Sequence, residues 1–276
     1  VLTLKLVSDR VLCMTISSND SLGDRMKMYE GAFKGQLPIR MPVILRVDGK
    51  AFHTYTKNCS RPFDDSLIEA MNNVAIALCS NIQGAQMAYV QSDEISIFIH
   101  GYKKFNSCAW FDNEIQKMVS VSASIAAATM TKESPNIFGR FLESGDSDLD
   151  AIRPAYFDSR VFVLPESEVC NYFLWRQQDC SRNSIQMLAR SLYSHKECNN
   201  KNSSELQEMC FQKDKNWNNI PTQHRRGRVI FKETYTVSIA GNETGVLRSR
   251  WTVDNEIPIF SENRDYINKY LKVLEE

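Results

Sequence analysis

The chain has 276 residues, with 33 Lys+Arg against 33 Asp+Glu and a formal net charge of zero. Hydrophobic residues make up 43% and charged residues 24%, the composition of a folded chain of one large or two modest domains, not of a disordered one. The neutral balance argues against binding nucleic acid by bulk charge, though a local basic groove stays open. No apolar run approaches the ~20 residues that span a bilayer, so no membrane partner is expected.

Residues 1–20 read as an extension or disordered N-terminus. Val1–Cys13 lacks the charged start, apolar centre and cleavage site of a signal peptide, and Met14 is a candidate start. Asp24–Tyr29 has a helical pattern, followed by a Gly- and Pro-punctuated link. Val43–Val47 is a β-branched apolar run that stops at Asp48-Gly49, a strand ending in a turn. Pro62–Asp65 opens a helix with Leu67, Met71, Val74 and Leu78 on one face. Met87–Val90 and Ile95–Ile99 are strands joined by the turn Gln91–Glu94. Asn113–Thr131 reads as a second long helix, and Arg160–Leu164, stopped by Pro165, as a fourth strand.

That order is β-α-β-β-α-β, an α+β ferredoxin-like sheet covered on one face by two helices. We assign residues 21–165 to this palm and 166–276 to a helical and β-hairpin extension. In the extension, Val169–Tyr193 is helical but interrupted at Arg176–Asp179 and Ser181–Ser184. Lys201–Asn219 is polar, with Leu206, Met209 and Phe211 as anchors. The basic run His224–Arg228 leads into alternating strands from Val229 to Val253. The eight cysteines are scattered without a Cys-x-x-Cys pair, which fits reduced thiols in a cytoplasmic protein.

In a ferredoxin-like sheet the first and third strands are antiparallel neighbours. The end of the first strand then lies beside the start of the third, which brings Asp48 to Asp93 and Glu94. Close carboxylates repel, and they stay ionised most easily around a divalent cation such as Mg²⁺, which takes further oxygen ligands from substrate phosphates. Two such ions roughly 3.5–4 Å apart suit phosphoryl transfer. Either acid alone would read as a solvated turn residue.

Three blocks carry a resemblance: Arg46-Val47-Asp48-Gly49-Lys50-Ala51-Phe52-His53, Gln91-Ser92-Asp93-Glu94 and Trp175-Arg176-Gln177-Gln178-Asp179-Cys180. Together, in this order, they resemble the signature blocks of the tRNA(His) guanylyltransferase family, and the likeness runs over Ser21–Lys232. The resemblance implies a palm like that of polymerases and nucleotide cyclases. It also implies addition of nucleotides to the 5′ end of tRNA in the 3′-to-5′ direction. The RNA 5′-phosphate is first activated by ATP or GTP, and the 3′-hydroxyl of an incoming GTP then attacks it.

By that resemblance Asp48 and Asp93 are the metal carboxylates, the Gly49 carbonyl is a further metal ligand, and Glu94 has a supporting catalytic role. Lys50, Ala51, Phe52, His53, Arg61, Asp64, Ser92 and Lys117 fall at nucleotide-binding positions. Asp179 and Asn183 would bind a second nucleotide or the tRNA end. Arg225, Arg226 and Arg228 are candidates for phosphate contacts with tRNA, and Trp110 and Trp217 for base stacking.

The third block departs from the tRNA(His) branch, which continues His-Ile-Asn where this chain has Ser181-Arg182-Asn183. The pattern looks more like the guanylyltransferase-like branch, which rebuilds truncated tRNA 5′ ends on a template. Family members form tetramers from paired dimers, so the resemblance implies a homotetramer. Competing readings are a palm-type nucleotide cyclase, a 3′-end polymerase, or a noncatalytic tRNA-binding protein.

Overall fold

The apolar runs that read as strands become the centre of one antiparallel sheet. In the computed structural model, which describes residues 21–102, 107–142, 147–239 and 242–271, the six strands lie in the order β4-β1-β3-β2-β5-β6. They are β1 (Val43–Gly49), β2 (Ala85–Gln91), β3 (Glu94–Ile99), β4 (Phe157–Val163), β5 (Arg228–Ile239) and β6 (Asn242–Asp254). Every residue of β3 is buried, the polar Glu94 and Ser96 included, as befits a central strand covered on both faces. The first four strands follow the expected ferredoxin-like order. The residues expected to form an N-terminal extension, 1–20, lie outside those described.

Alternation along the strands assigns the two faces. Val43, Leu45, Val47, Ile95 and Ile97 pack with Met71, Val74 and Leu78 of α3 (Asp65–Asn81) and with Met118 and Met130 of α4 (Ile115–Phe138). A short α2 (Phe52–Tyr55) follows β1. On the other face Ile44, Phe98, Met87 and Tyr89 pack against Val169, Tyr172 and Phe173 of α5 (Glu166–Leu192). The remaining short helices are α6 (His195–Cys198), α7 (Ser203–Phe211), α8 (Thr222–Arg226) and α9 (Asp265–Asn268). Residues Gln36–Glu276 form one compact unit. In the N-terminal unit, α1 (Leu22–Gly31) is capped by the Ser21 hydroxyl and carries no buried residue.

Four sequence expectations need correction. The helix expected to break at Arg176–Asp179 and Ser181–Ser184 is the continuous α5. None of those residues is a helix breaker, and the buried ones have partners: Gln177 donates to the Pro258 carbonyl and accepts from the Phe260 amide, both at 2.8 Å. Phe211 is 62% exposed, whereas its neighbour Cys210 is fully buried beside Leu206. Trp110 is buried in the core and not offered to a base. Helix α4 runs past Thr131 to Phe138, with Pro135 inside it.

Two tight turns fix the sheet edge that carries the acids. Ser92 and Asp93 alone connect β2 to β3, and Ser92 adopts φ 45°, a left-handed conformation uncommon for a residue with a side chain. Gly227, at φ 82°, feeds β5 into the sheet. A Cβ there would meet the Val90 carbonyl at 2.6 Å and the Tyr89 hydroxyl at 2.7 Å. Gly227→Ala should therefore lower the unfolding free energy by about 1–3 kcal/mol, read as a shifted midpoint in urea denaturation; an unchanged midpoint would refute the steric argument.

Candidate active site

Register builds the acidic centre. β1 lies between β3 and β4, so Asp48 faces Glu94 on one side and Asp158 on the other. The Gly49 amide donates to the Asp93 carbonyl at 3.1 Å, which ties the end of β1 to the β2–β3 turn. Burial, then repulsion from Asp93, Glu94 and Asp158, pushes the Asp48 carboxyl above the ordinary range. Asp93 is raised too, mainly by burial, with Glu94 adding repulsion against a hydrogen bond from Ser92. Neither Asp48 nor Asp93 has an ion-pair partner among the described residues.

Glu94 lies in a different setting. Its two oxygens accept from Arg176 Nε at 2.7 Å and Nη2 at 2.6 Å, a bidentate fork. Gln91 and Ser96 donate to it at 3.3 Å, and Arg46 stands 3.9 Å away. Arg176 also reaches Asp179 at 2.9 Å, which in turn takes Arg182 at 2.9 Å and Asn183 at 3.4 Å. The third sequence block is thus strapped to the β2–β3 hairpin by Arg176. The Glu94 carboxylate is already committed to protein donors.

Between this edge, the start of α3 and one side of α5 opens a cavity of about 580 Å³, within the range of small-molecule sites. Gly49, Ala51, Phe52, His53, Arg61, Asp64, Ser92, Asp93, Asn183 and Arg228 line it. Their roles differ. Gly49 has no alternative, since a Cβ there would lie 2.3 Å from the Phe52 ring. Phe52 is buried and stacks on Tyr55, so it anchors the turn more than it presents a face to a base. Asp64 caps α3: burial would raise its carboxyl, but donors from Ser60, Arg140 and Leu67 outweigh that and hold it low.

Other predicted residues stand elsewhere. Lys50 and Lys117 do not line the cavity; Lys117 pairs with Glu114 at 3.2 Å in the first turn of α4. Asp179 is held in the Arg176 network and is not part of the lining. Of the basic run, Arg225 turns onto the Ile220 carbonyl at 2.6 Å and the Trp217 ring, while Arg228 is buried. Arg225 and Arg226 are absent from the cavity wall.

Sequence reading missed Asp158, which the fourth strand sets opposite Asp48. It also gave no role to Arg176, although that residue lies inside a quoted block. At the cavity rim His224 stacks on Phe63 at 4.6 Å and meets Asp65 at 3.0 Å, a pairing across distant segments that no local pattern signals.

Among the described residues no group of three or more His, Cys, Asp or Glu is arranged to hold a metal ion. Two repelled carboxylates without cationic partners still fit Mg²⁺, which keeps several waters and leans on substrate phosphates, not on an all-protein cage.

Comparison with known proteins agrees with this geometry. The family described as tRNAHis guanylyltransferase (Thg1) matches residues 23–165. The structure is similar to that of a bacterial tRNA(His) guanylyltransferase-like protein in complex with ATP, with 43% identity and a TM-score of 0.80 over 92% of this chain and all of that one. The GTP complex of a bacterial protein so described gives 44% identity and a TM-score of 0.74 over 91% of this chain and 99% of that one. The tRNA(His) guanylyltransferase of Debaryomyces hansenii is 29% identical over 69% of this chain and 73% of its own length.

Removing Arg176 as Arg176→Met leaves Glu94 charged and buried. Unfolding free energy should fall by about 3–5 kcal/mol, and Glu94→Gln in the same chain should recover part of the loss. Additive effects of the two substitutions would contradict the pairing.

Proposed function

The chain belongs to the tRNA(His) guanylyltransferase family, and from that premise we propose that it is a metal-dependent nucleotidyltransferase extending tRNA 5′ ends in the 3′-to-5′ direction. The observation that carries the reading is the convergence of Asp48 and Asp93 beside a nucleotide-sized cavity. In the activating step an oxygen of the RNA 5′-phosphate bonds to the α-phosphorus of ATP or GTP, and pyrophosphate leaves. In the transfer step the 3′-hydroxyl oxygen of the incoming nucleotide bonds to that 5′-phosphorus, and the nucleoside monophosphate leaves.

Asp48, Asp93 and the Gly49 carbonyl would hold Mg²⁺, in two ions. Bound there, Mg²⁺ supplies positive charge to the phosphate oxygens and favours an ionised attacking hydroxyl. The turn Gly49–His53, Arg61 and Ser92 offer donors to the phosphates, and Asn183 stands on the α5 wall. Glu94 and Arg176 keep the hairpin in place. Direct competition between a nucleotide and Asp64 for the Asp64 donors is unfavourable, so Asp64 shapes the wall.

Ser181-Arg182 in place of His-Ile favours template-dependent 5′-end repair over addition restricted to tRNA(His). Arg182 is turned back to Asp179, and the relatives at 43% and 44% identity are described as guanylyltransferase-like. A homotetramer and a cytoplasmic location complete the proposal. Free thiols at all seven described cysteines support a reducing compartment, and no described helix is long and apolar enough to cross a membrane.

Given labelled GTP, ATP and Mg²⁺, the protein should lengthen several 5′-truncated tRNAs at the 5′ end, adding the templated nucleotide. Asp48→Ala and Asp93→Ala should each lower the rate on the order of a hundredfold or more. Cyclic nucleotide, 3′ growth, or tRNA binding without turnover would refute the reading, and activity confined to tRNA(His) would refute the repair version.

The raised acids also set a stability prediction. A carboxyl whose folded pKa exceeds its unfolded value favours the fold below the unfolded pKa and loses that contribution as pH rises through the folded one. At neutral pH, then, Asp93 works against folding. In EDTA, Asp93→Asn should melt higher than the unaltered protein, and Mg²⁺ should raise the melting temperature of the latter far more; the reverse order would count against a shared cation.

A further inference from the structure

Arg228 opens β5, with Val90 as its register partner, next to the Gln91 that leads into the metal hairpin. Its side chain is 2% exposed and lines the cavity. Nε donates to the neutral Asn72 Oδ1 at 2.9 Å. Buried Nη2 has no hydrogen-bond partner, and no carboxylate forms an ion pair with this guanidinium among the described residues.

Its other close neighbours are no counter-charge. Burial pushes the Cys180 thiol up to about 11 and the Tyr89 hydroxyl well above its ordinary value, so both are neutral at physiological pH. The same burial pulls Arg228 down to about 10, and it keeps its charge there. A buried cation without an anion is costly unless something else neutralises it. A purely structural arginine would be served better by an aspartate at position 72 than by an asparagine.

We propose that Arg228 is a buried anion anchor of the cavity, taking a phosphate group from the polyphosphate of a nucleotide or the 5′-phosphate of the RNA. The inference rests on reading the cavity as the nucleotide site. It assigns Arg228 a different task from Arg225, whose guanidinium is spent on Ile220 and Trp217. Gln91 and Asn183 line the same space, and each side-chain amide keeps a second N–H beyond its bond to Glu94 or Asp179 that can be offered to the anion.

The test uses the full chain, calorimetric titration, and two variants. Arg228→Met removes the cation; Asn72→Asp leaves it and supplies an internal counter-charge. The probes are guanosine, GTP, inorganic tripolyphosphate, and one tRNA with either a 5′-phosphate or a 5′-hydroxyl. Both variants should weaken phosphate binding roughly ten- to a hundredfold, while the ligand-free melting temperature of Asn72→Asp holds or rises. Losses for GTP and tripolyphosphate with guanosine unaffected identify the nucleotide. Loss of the preference for 5′-phosphorylated tRNA identifies the RNA.

Equal losses for guanosine and GTP would overturn the proposal, because the arginine would then be reading the base edge. Unchanged binding of every phosphate probe in Asn72→Asp would overturn it as well, even if Arg228→Met fails to fold. If the unaltered protein binds neither GTP nor tRNA, the nucleotide-site reading fails first and the anchor with it.

Discussion

Like charges at one sheet edge govern this structure. The antiparallel register of β1 against β3 and β4 brings Asp48, Asp93, Glu94 and Asp158 into one neighbourhood. The protein resolves the resulting repulsion unevenly. Glu94 receives a bidentate arginine and two further donors. Asp48 and Asp93 receive none of comparable strength and stay raised. An unbalanced pair beside a neutralised one is the arrangement expected of carboxylates kept for a cation that arrives with its substrate.

The same logic extends across the cavity. Its wall holds two kinds of uncompensated charge, anionic at Asp93, with Asp48 on the adjoining strand end, and cationic at Arg228. A nucleotide carrying a metal ion presents both complements at once. The third block contributes through α5, whose Arg176 links Glu94 to Asp179 and hence to Asn183 on the wall. A chain of hydrogen bonds, buried at Glu94 and exposed at Asn183, thus joins the acidic edge to the cavity wall.

Much of this was legible in the sequence, and for definite reasons. Val43–Val47 and Ile95–Ile99 are apolar but for Arg46 and Ser96, which marks them as buried strands, and the ferredoxin-like order then sets the end of the first beside the start of the other, where Asp48 meets Asp93. What stayed hidden depends on contacts between distant segments. The polar stretch Arg176–Asp179 looks like a helix break until Glu94 and Pro258 supply partners. Asp64 sits in a motif that resembles a nucleotide contact, yet its oxygens are committed to capping α3 and to Arg140. The basic run at His224–Arg228 reads as a set of candidate phosphate contacts, but His224, Arg225 and Arg228 each turn to a separate internal partner.

The claim at the centre is that Asp48 and Asp93 jointly hold a divalent cation. Titrating Mn²⁺ into the protein with GTP present, followed by electron paramagnetic resonance, measures it directly. The account predicts bound Mn²⁺ in the unaltered chain and a clear loss of affinity in Asp48→Asn and in Asp93→Asn. Equal Mn²⁺ affinity in all three proteins would contradict it.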